Sequence, residues 1–259
     1  MMRAERTLPF VFVCFLGTAL APAPRVFAPE IQPGDAWVMV GSVETHNGNR
    51  NGFRQTRQRL TVTGVEGDRL QVSVQAVGSP LPPNTILRGR DWSNYIDVAG
   101  SEILSAQPMN FPLYAGKRWK VAYENTTPSG DKYSSIRIER DYVVVDYAPV
   151  SVAGVAFQSY KIEMNGRWTG RLAQGGEVSA NMYVGTGGSS VVVEQQKQRA
   201  GSQTGGRLYS LLWYAPAQKH WVKLLEETYG SAGVLTEKID TELERFYPAS
   251  SSRVSSDSK

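Results

Sequence analysis

Proton-transfer chemistry at neutral pH calls first for histidine, and this chain has two, His46 and His220. His46 lies in a polar stretch ahead of Asn47-Gly48, and His220 precedes Trp221 in a run that reads as a strand. Neither has a sequence-local acid or nucleophile from which a triad could be built. No H-x-x-x-H or similar spacing exists to suggest zinc. Glu139, Asp141, Asp146, Glu163 and Glu177 could supply a carboxylate pair for hydrolysis, yet solvation of strand faces accounts for them more simply. The glycine-rich run at residues 185–190 lacks the lysine and the following helix of a phosphate cradle. The reading assigns no catalytic residue, no metal and no cofactor. A hydrolase using the carboxylates or His220 stands as the enzymatic alternative.

Binding chemistry is better represented. Arg50, Arg54, Arg57 and Arg59 cluster in one hairpin, and the guanidinium fork suits phosphates, lipid head groups or an acidic partner. Aromatic residues including Trp92, Tyr95, Trp119, Trp168, Trp213, Tyr214 and Trp221 could line an apolar groove. The candidate binding residues are Arg54, Arg57, Arg59, Trp92, Tyr95, Trp168, Trp213, Tyr214 and Trp221. The plainer reading stands beside this one: a solvated basic strand paired with acidic neighbours, and rings that fill the core.

Strands must position these side chains. From residue 37 to residue 246 the chain is a series of short alternating runs, rich in β-branched and aromatic residues and cut by Gly, Asn, Asp and Pro. In residues 69–76 every second side chain is apolar, so one face is buried and the other wet. Asn47-Gly48, Asn51-Gly52 and Asn165-Gly166 read as turns, and residues 185–190 and 200–206 read as loops. The apolar phase slips between Phe157 and Tyr160, which predicts a bulge or bend. Residues 235–246 fit a helical face or a strand equally well by periodicity. A weak repeat relates the segment from Gly34-Asp35-Ala36-Trp37 to that from Gly116-Lys117-Arg118-Trp119, which suggests two related β units.

The N-terminus has two early arginines, an apolar run from Leu8 to Leu16 and then small residues and prolines, the layout of a secretory signal peptide. Both Ala19-Leu20-Ala21 and Val26-Phe27-Ala28 offer cleavage spacing, so the mature chain is expected to start between Pro22 and Pro29. Removing residues 1–28 leaves 25 basic and 23 acidic side chains, a net charge of +2, too small to argue for nucleic acid. Cys14, the one cysteine of the 259 residues, lies inside the apolar run, so no disulfide or cysteine-bound metal is expected in the mature protein. The boundaries are signal peptide 1–28, first β unit 29–110, second β unit 111–248 continuous with the first, and a serine-rich disordered tail 249–259.

Three phrases carry a resemblance. Val150-Ser151-Val152-Ala153-Gly154-Val155-Ala156-Phe157 resembles the V-x-V-P-A-G-x-F phrase of a broad set of uncharacterised exported bacterial domains, without its proline. Phe111-Pro112-Leu113-Tyr114-Ala115-Gly116-Lys117-Arg118-Trp119 is similar to their F-P-L-x-P-G-K-x-W, and Trp213-Tyr214-Ala215-Pro216 to their W-Y-A-P. The resemblance implies a curved antiparallel sheet and a strand at residues 235–246. It implies no catalytic residue. In that picture a strand ends near Asp146 and a tight turn at Ala153-Gly154 sends the chain back as a core strand.

The fold class that follows is mainly β, a curved antiparallel sheet or partial barrel. The functional expectation is a periplasmic or secreted protein that binds an apolar or amphipathic ligand, or an envelope protein as partner, with no nucleic acid and no transmembrane span after signal cleavage. A module that pairs with partners through an open sheet edge is the further alternative.

Overall fold

Period-two alternation becomes strand over most of the chain. The structure, a computed structural model, describes residues 24–47, 50–98, 101–126, 133–173, 181–183, 190–192 and 202–249. The first half forms β1 (Ala36–Asn47), β2 (Arg50–Glu66), β3 (Arg69–Ala76), β4 (Asn84–Gly89), β5 (Asn94–Val98) and β6 (Ser101–Ser105). After a connection at residues 106–117 come β7 (Arg118–Asn125), β8 (Tyr133–Val152) and β9 (Val155–Leu172). β10 (Asn181–Tyr183) and β11 (Ser190–Val192) form a separate two-stranded sheet, and the chain ends with β12 (Gln203–Ala215), β13 (His220–Tyr229) and β14 (Leu235–Tyr247).

One 12-stranded antiparallel sheet runs in the order β6-β5-β4-β3-β2-β1-β14-β13-β12-β9-β8-β7. The last strand pairs with the first, Trp37 opposite Phe246 and Val43 opposite Ile239, so β14 joins the two halves. The sheet curls until it is nearly a closed barrel. The connection leaving β6 helps bridge the gap: Trp119 on β7 donates its indole N–H to Gln107 O at 3.0 Å, and Tyr142 on β8 donates its hydroxyl to Ala106 O at 2.5 Å. Inside, the alternating side chains of each strand meet. On β8, Ile136, Ile138, Tyr142 and Val144 are buried, with Trp119 stacked on Tyr142 at 4.9 Å.

The hairpin between β8 and β9 turns at Ala153-Gly154, which have φ of 48° and 82°, with Val152 facing Val155. A two-residue connection with both φ positive matches the twist of the strands it joins. The preceding strand does not stop near Asp146. It continues to Val152 past a bulge between Val144 and Asp146, and this bulge, on the partner strand of β9, lies opposite Lys161 and Ile162, beside the expected phase slip.

The pair Asn47-Gly48 runs out of the described residues, and the other two Asn-Gly pairs are not turns. Asn51-Gly52 lies within β2 and Asn165-Gly166 within β9. A Cβ on Gly166 would come within 2.6 Å of Glu139 O, so this glycine serves close strand approach, a use that composition does not separate from turn formation. The composition of residues 200–206 predicts a loop, but β12 begins at Gln203. Gly206 there pairs with Trp168, whose indole N–H crosses it to reach Tyr229 O at 3.1 Å. A Cβ on Gly206 would sit 1.8 Å from that same carbonyl oxygen, so no larger residue fits beneath the indole. Residues 185–189, most of the tail 249–259 and residues 1–23 lie outside the described residues.

One end of the barrel is closed by aromatic side chains. Trp92, in the corner between β4 and β5, meets Trp37 edge-on at 5.0 Å, His220 at 4.2 Å and Trp221 at 5.7 Å, and Phe246 stacks on Trp37 at 5.4 Å. Trp37 and Trp92 donate their indole N–H groups to Gln218 O and Lys219 O at 2.7 and 3.0 Å. Buried Asp35 ties three distant segments together beside this plug, accepting from Gln32 N, Lys219 Nζ and Ala249 N at 3.0, 2.9 and 2.8 Å.

Candidate binding pocket

Above the aromatic plug, the space inside the sheet is not filled. A cavity of about 280 Å³ lies between β1–β4 on one side and β13–β14 on the other, near the lower end of the roughly 300–1,000 Å³ of small-molecule sites. Strand parity decides what lines it. On β2 the even-numbered Arg54, Thr56, Gln58 and Leu60 point in, as do Asn84, Ile86 and Arg88 on β4 and the odd-numbered Glu237, Ile239 and Thr241 on β14. Met39 and Val43 of β1, Val74 of β3 and Leu224 of β13 add apolar wall, and Trp92 and Trp221 contribute from the plug.

The polar members stand out. Glu237 is 1% exposed. Burial pulls the Arg88 guanidinium down to about 10 from its ordinary value, against a smaller opposing effect of the Glu226 charge. Glu226, on the inward face of β13 two residues past Leu224, also acts on Arg140 of β8, which is 4% exposed. Tyr142, next to Arg140 on the same strand face, is pushed up to about 12 by burial despite the arginine beside it. The interior therefore holds arginines and glutamates as well as hydrocarbon, where the sequence promised mainly rings and aliphatic groups. Trp221 adds a buried indole N–H with no hydrogen-bond partner among the described residues.

His220 is fully buried, with ring centroids of Trp92 and Trp221 at 4.2 and 3.8 Å. Its Nδ1 lies 2.8 Å from Trp221 O. Burial in this aromatic surround drives the imidazole down to about 3, with the Arg88 charge acting in the same direction, so the ring is neutral at any ordinary pH.

Of the residues singled out from the sequence, the cavity brings together Arg54, Trp92 and Trp221. Arg57 and Arg59 share β2 with Arg54 but have the opposite parity and face outward. Arg57 grips Glu244 with two hydrogen bonds of 2.6 and 2.5 Å, and Arg59 lies over the Tyr247 ring at 5.2 Å. Tyr95 sits under Arg69 at 5.0 Å, and half-buried Trp213 under Lys161 at 5.7 Å. Trp168 and Tyr214 are buried in the core, Tyr214 against Phe111 at 5.4 Å.

The acidic residues weighed for hydrolysis are spread along the outside. Glu139 is held by Arg137 and Arg167, Asp141 by Lys120 at 2.8 Å, Glu163 by Asn165 at 3.1 Å, and Asp146 accepts from the Tyr147 amide at 2.7 Å. Glu177 lies outside the described residues. His46 is on β1 opposite Asn51. Among the described residues no group of His, Cys, Asp or Glu is placed to hold a metal ion.

Sequence reading missed Arg88, Arg140, Glu226 and Glu237. The signal was present: each charge occupies the apolar phase of an alternating strand, as in Ile136-x-Ile138-x-Arg140-x-Tyr142-x-Val144, Ile86-x-Arg88 and Glu237-x-Ile239. A charge in that phase must face the interior unless the register slips.

No protein-family model matches the chain, and no curated protein matches it significantly. Among solved structures, the hypothetical lipoprotein YmcC from Escherichia coli K12 is similar over 86% of this chain and 92% of its own, at 11% identity and a TM-score of 0.33. A domain provisionally described as an outer membrane lipoprotein-sorting protein from Vibrio parahaemolyticus is similar over 84% and 86%, at 9% identity and a TM-score of 0.22.

Proposed function

We propose that the protein is an exported, non-catalytic binding protein of the cell envelope whose barrel interior takes one amphipathic molecule. The observation that carries this reading is the partly open space between β1–β4 and β13–β14, walled by aliphatic and aromatic side chains with Arg54, Arg88 and Glu237 set into the wall. A space of that make-up suits a molecule with both an apolar body and a polar group. The outside of the sheet is ionic, with pairs such as Arg57–Glu244, Arg167–Glu139 and Lys120–Asp141, which a lipid-facing strand surface would not tolerate. Among the described residues no helix is long and apolar enough to cross a membrane. The N-terminal pattern supports export. Of its two cleavage spacings, the one ending at Ala21 preserves contacts that the one ending at Ala28 would remove: Tyr160 donates to Pro24 O, and Val26 bridges Leu113 at 2.9 and 2.7 Å.

The test is a titration with N-phenyl-1-naphthylamine, a neutral apolar fluorophore. It is expected to bind saturably with one molecule per chain, and Val74→Trp, which places an indole in the space, is expected to weaken it by about tenfold or more. A folded wild-type protein that gives no saturable signal, or a Val74→Trp protein that binds unchanged, contradicts the reading.

A further inference from the structure

The reading of the interior as a ligand site leaves open which polar group the ligand carries, and the charges on the wall decide it. We infer that the site selects an anionic amphiphile, a single apolar chain ending in a carboxylate or phosphate, and that Arg88 is the residue that receives the anion. This rests on the proposed binding role of the interior.

Arg88 is partly buried on β4 with its side chain on the cavity wall. A guanidinium has five N–H donors in a planar fork. Among the described residues Arg88 donates no hydrogen bond and closes no ion pair, in contrast to its neighbours Arg90, bonded to Gly67 O at 3.0 Å, and Arg69, paired with Glu102 at 2.5 Å. Burial depresses its pKa, so the cation is held where solvent only partly stabilises it. A partly desolvated donor fork gains more from a carboxylate or phosphate than from any neutral group, because charge-assisted bonds are the stronger kind and the fork donates to two oxygens at once.

The remaining charges agree in sign. The wall carries two guanidinium groups, Arg54 and Arg88, against the one carboxylate of Glu237. Glu226, the acid that acts on Arg88, also acts on buried Arg140, so its charge is shared. The apolar part of the ligand has a matching surface in Val74, Ile86, Leu224 and Ile239. Arg54, exposed on β2, adds positive charge for an anion entering from solvent.

Displacement of bound N-phenyl-1-naphthylamine by four dodecyl amphiphiles of different head group tests this: dodecanoate, dodecyl phosphate, dodecyldimethylamine oxide and dodecyltrimethylammonium, each below its micelle concentration. The two anions are expected to displace the probe at concentrations about tenfold or more below those of the other two. Dodecanoate acting first points to a fatty acid and dodecyl phosphate to a phospholipid head; either order supports the inference. In Arg88→Met the ratio of anion potency to amine-oxide potency, read against that variant's own probe affinity, should fall to about one, and in Arg88→Lys part of the preference should remain. Equal potency of all four head groups, preference for the cation, or an Arg88→Met protein that keeps the full preference overturns the inference and leaves the binding reading intact. Loss of probe binding in the wild type removes both.

Discussion

Trp92→Ala is expected to lower the stability of the fold by about 3–5 kcal/mol, the range for emptying a fully buried large aromatic site. The side chain has 0% exposure and touches Trp37, His220 and Trp221, all of which lose a packing partner at once. Its indole N–H bond to Lys219 O ties the β4–β5 corner to the turn before β13 across the barrel, so the substitution also loosens the contact that keeps the sheet curled. Trp92 has a φ of 62°, a left-handed conformation that costs a residue with a Cβ about 1–2 kcal/mol. Trp92→Gly should therefore recover about 1 kcal/mol relative to Trp92→Ala despite losing one more carbon. Chemical denaturation of the three proteins measures both differences. A loss under about 1 kcal/mol for Trp92→Ala would show that the plug does not support the barrel.

The second large effect is a dependence on pH written into His220. Burial holds the folded imidazole at about 3, whereas in the unfolded chain it takes a proton near its ordinary value of about 6.5. Between those limits the unfolded state binds more protons than the folded state, so stability rises with pH across the window and is lost as pH falls from about 6.5 toward 3. The slope well inside the window is about 1.4 kcal/mol per pH unit. His220→Phe keeps a flat ring in the cage formed by Trp37, Trp92 and Trp221 and removes the titration. Other acids titrate in the same range and contribute to both proteins, so the informative quantity is the difference between them. On going from about pH 7 to about pH 4.5, that difference should move by about 2–3 kcal/mol in favour of His220→Phe. A difference that stays constant with pH would mean that water or a counter-charge reaches the imidazole.

Both effects concern residues whose presence, but not whose role, could be read from the sequence. The strands were legible because period-two alternation states directly which side chains share a face, and even the ambiguous segment at residues 235–246 forms β14. Turns were less legible. Asn-Gly marks a positive-φ corner and also a place where backbones pass closely, and Asn165-Gly166 is of the second kind. His220 was visible as one of two histidines, but its neutrality depends on Trp37 and Trp92, more than a hundred residues away in the chain. Trp92 looked like one core ring among several, since a left-handed backbone at a tryptophan has no sequence signature.

The pocket was half legible. Arg54, Trp92 and Trp221 were singled out for their chemistry, yet Arg57 and Arg59 look the same in composition and only strand parity sends them to the outer surface. Arg88 and Glu237 were passed over because a charged residue is presumed to face water, a rule that fails where a curled sheet encloses a polar space. Once the sheet is known to close, a charge in the apolar phase of a strand becomes the most informative residue on that strand.

The central claim is that this cavity inside the curled sheet is where a ligand sits. The most direct measurement is quenching of tryptophan fluorescence by an acyl chain brominated at its apolar end, compared between the wild type and a Trp92→Phe, Trp221→Phe protein. The account predicts quenching that saturates at one chain per protein and is largely absent in the double variant, because those two indoles face the cavity. Binding that quenches the two proteins equally, or that leaves the wild-type fluorescence unchanged, would place the chain elsewhere on the molecule and contradict it.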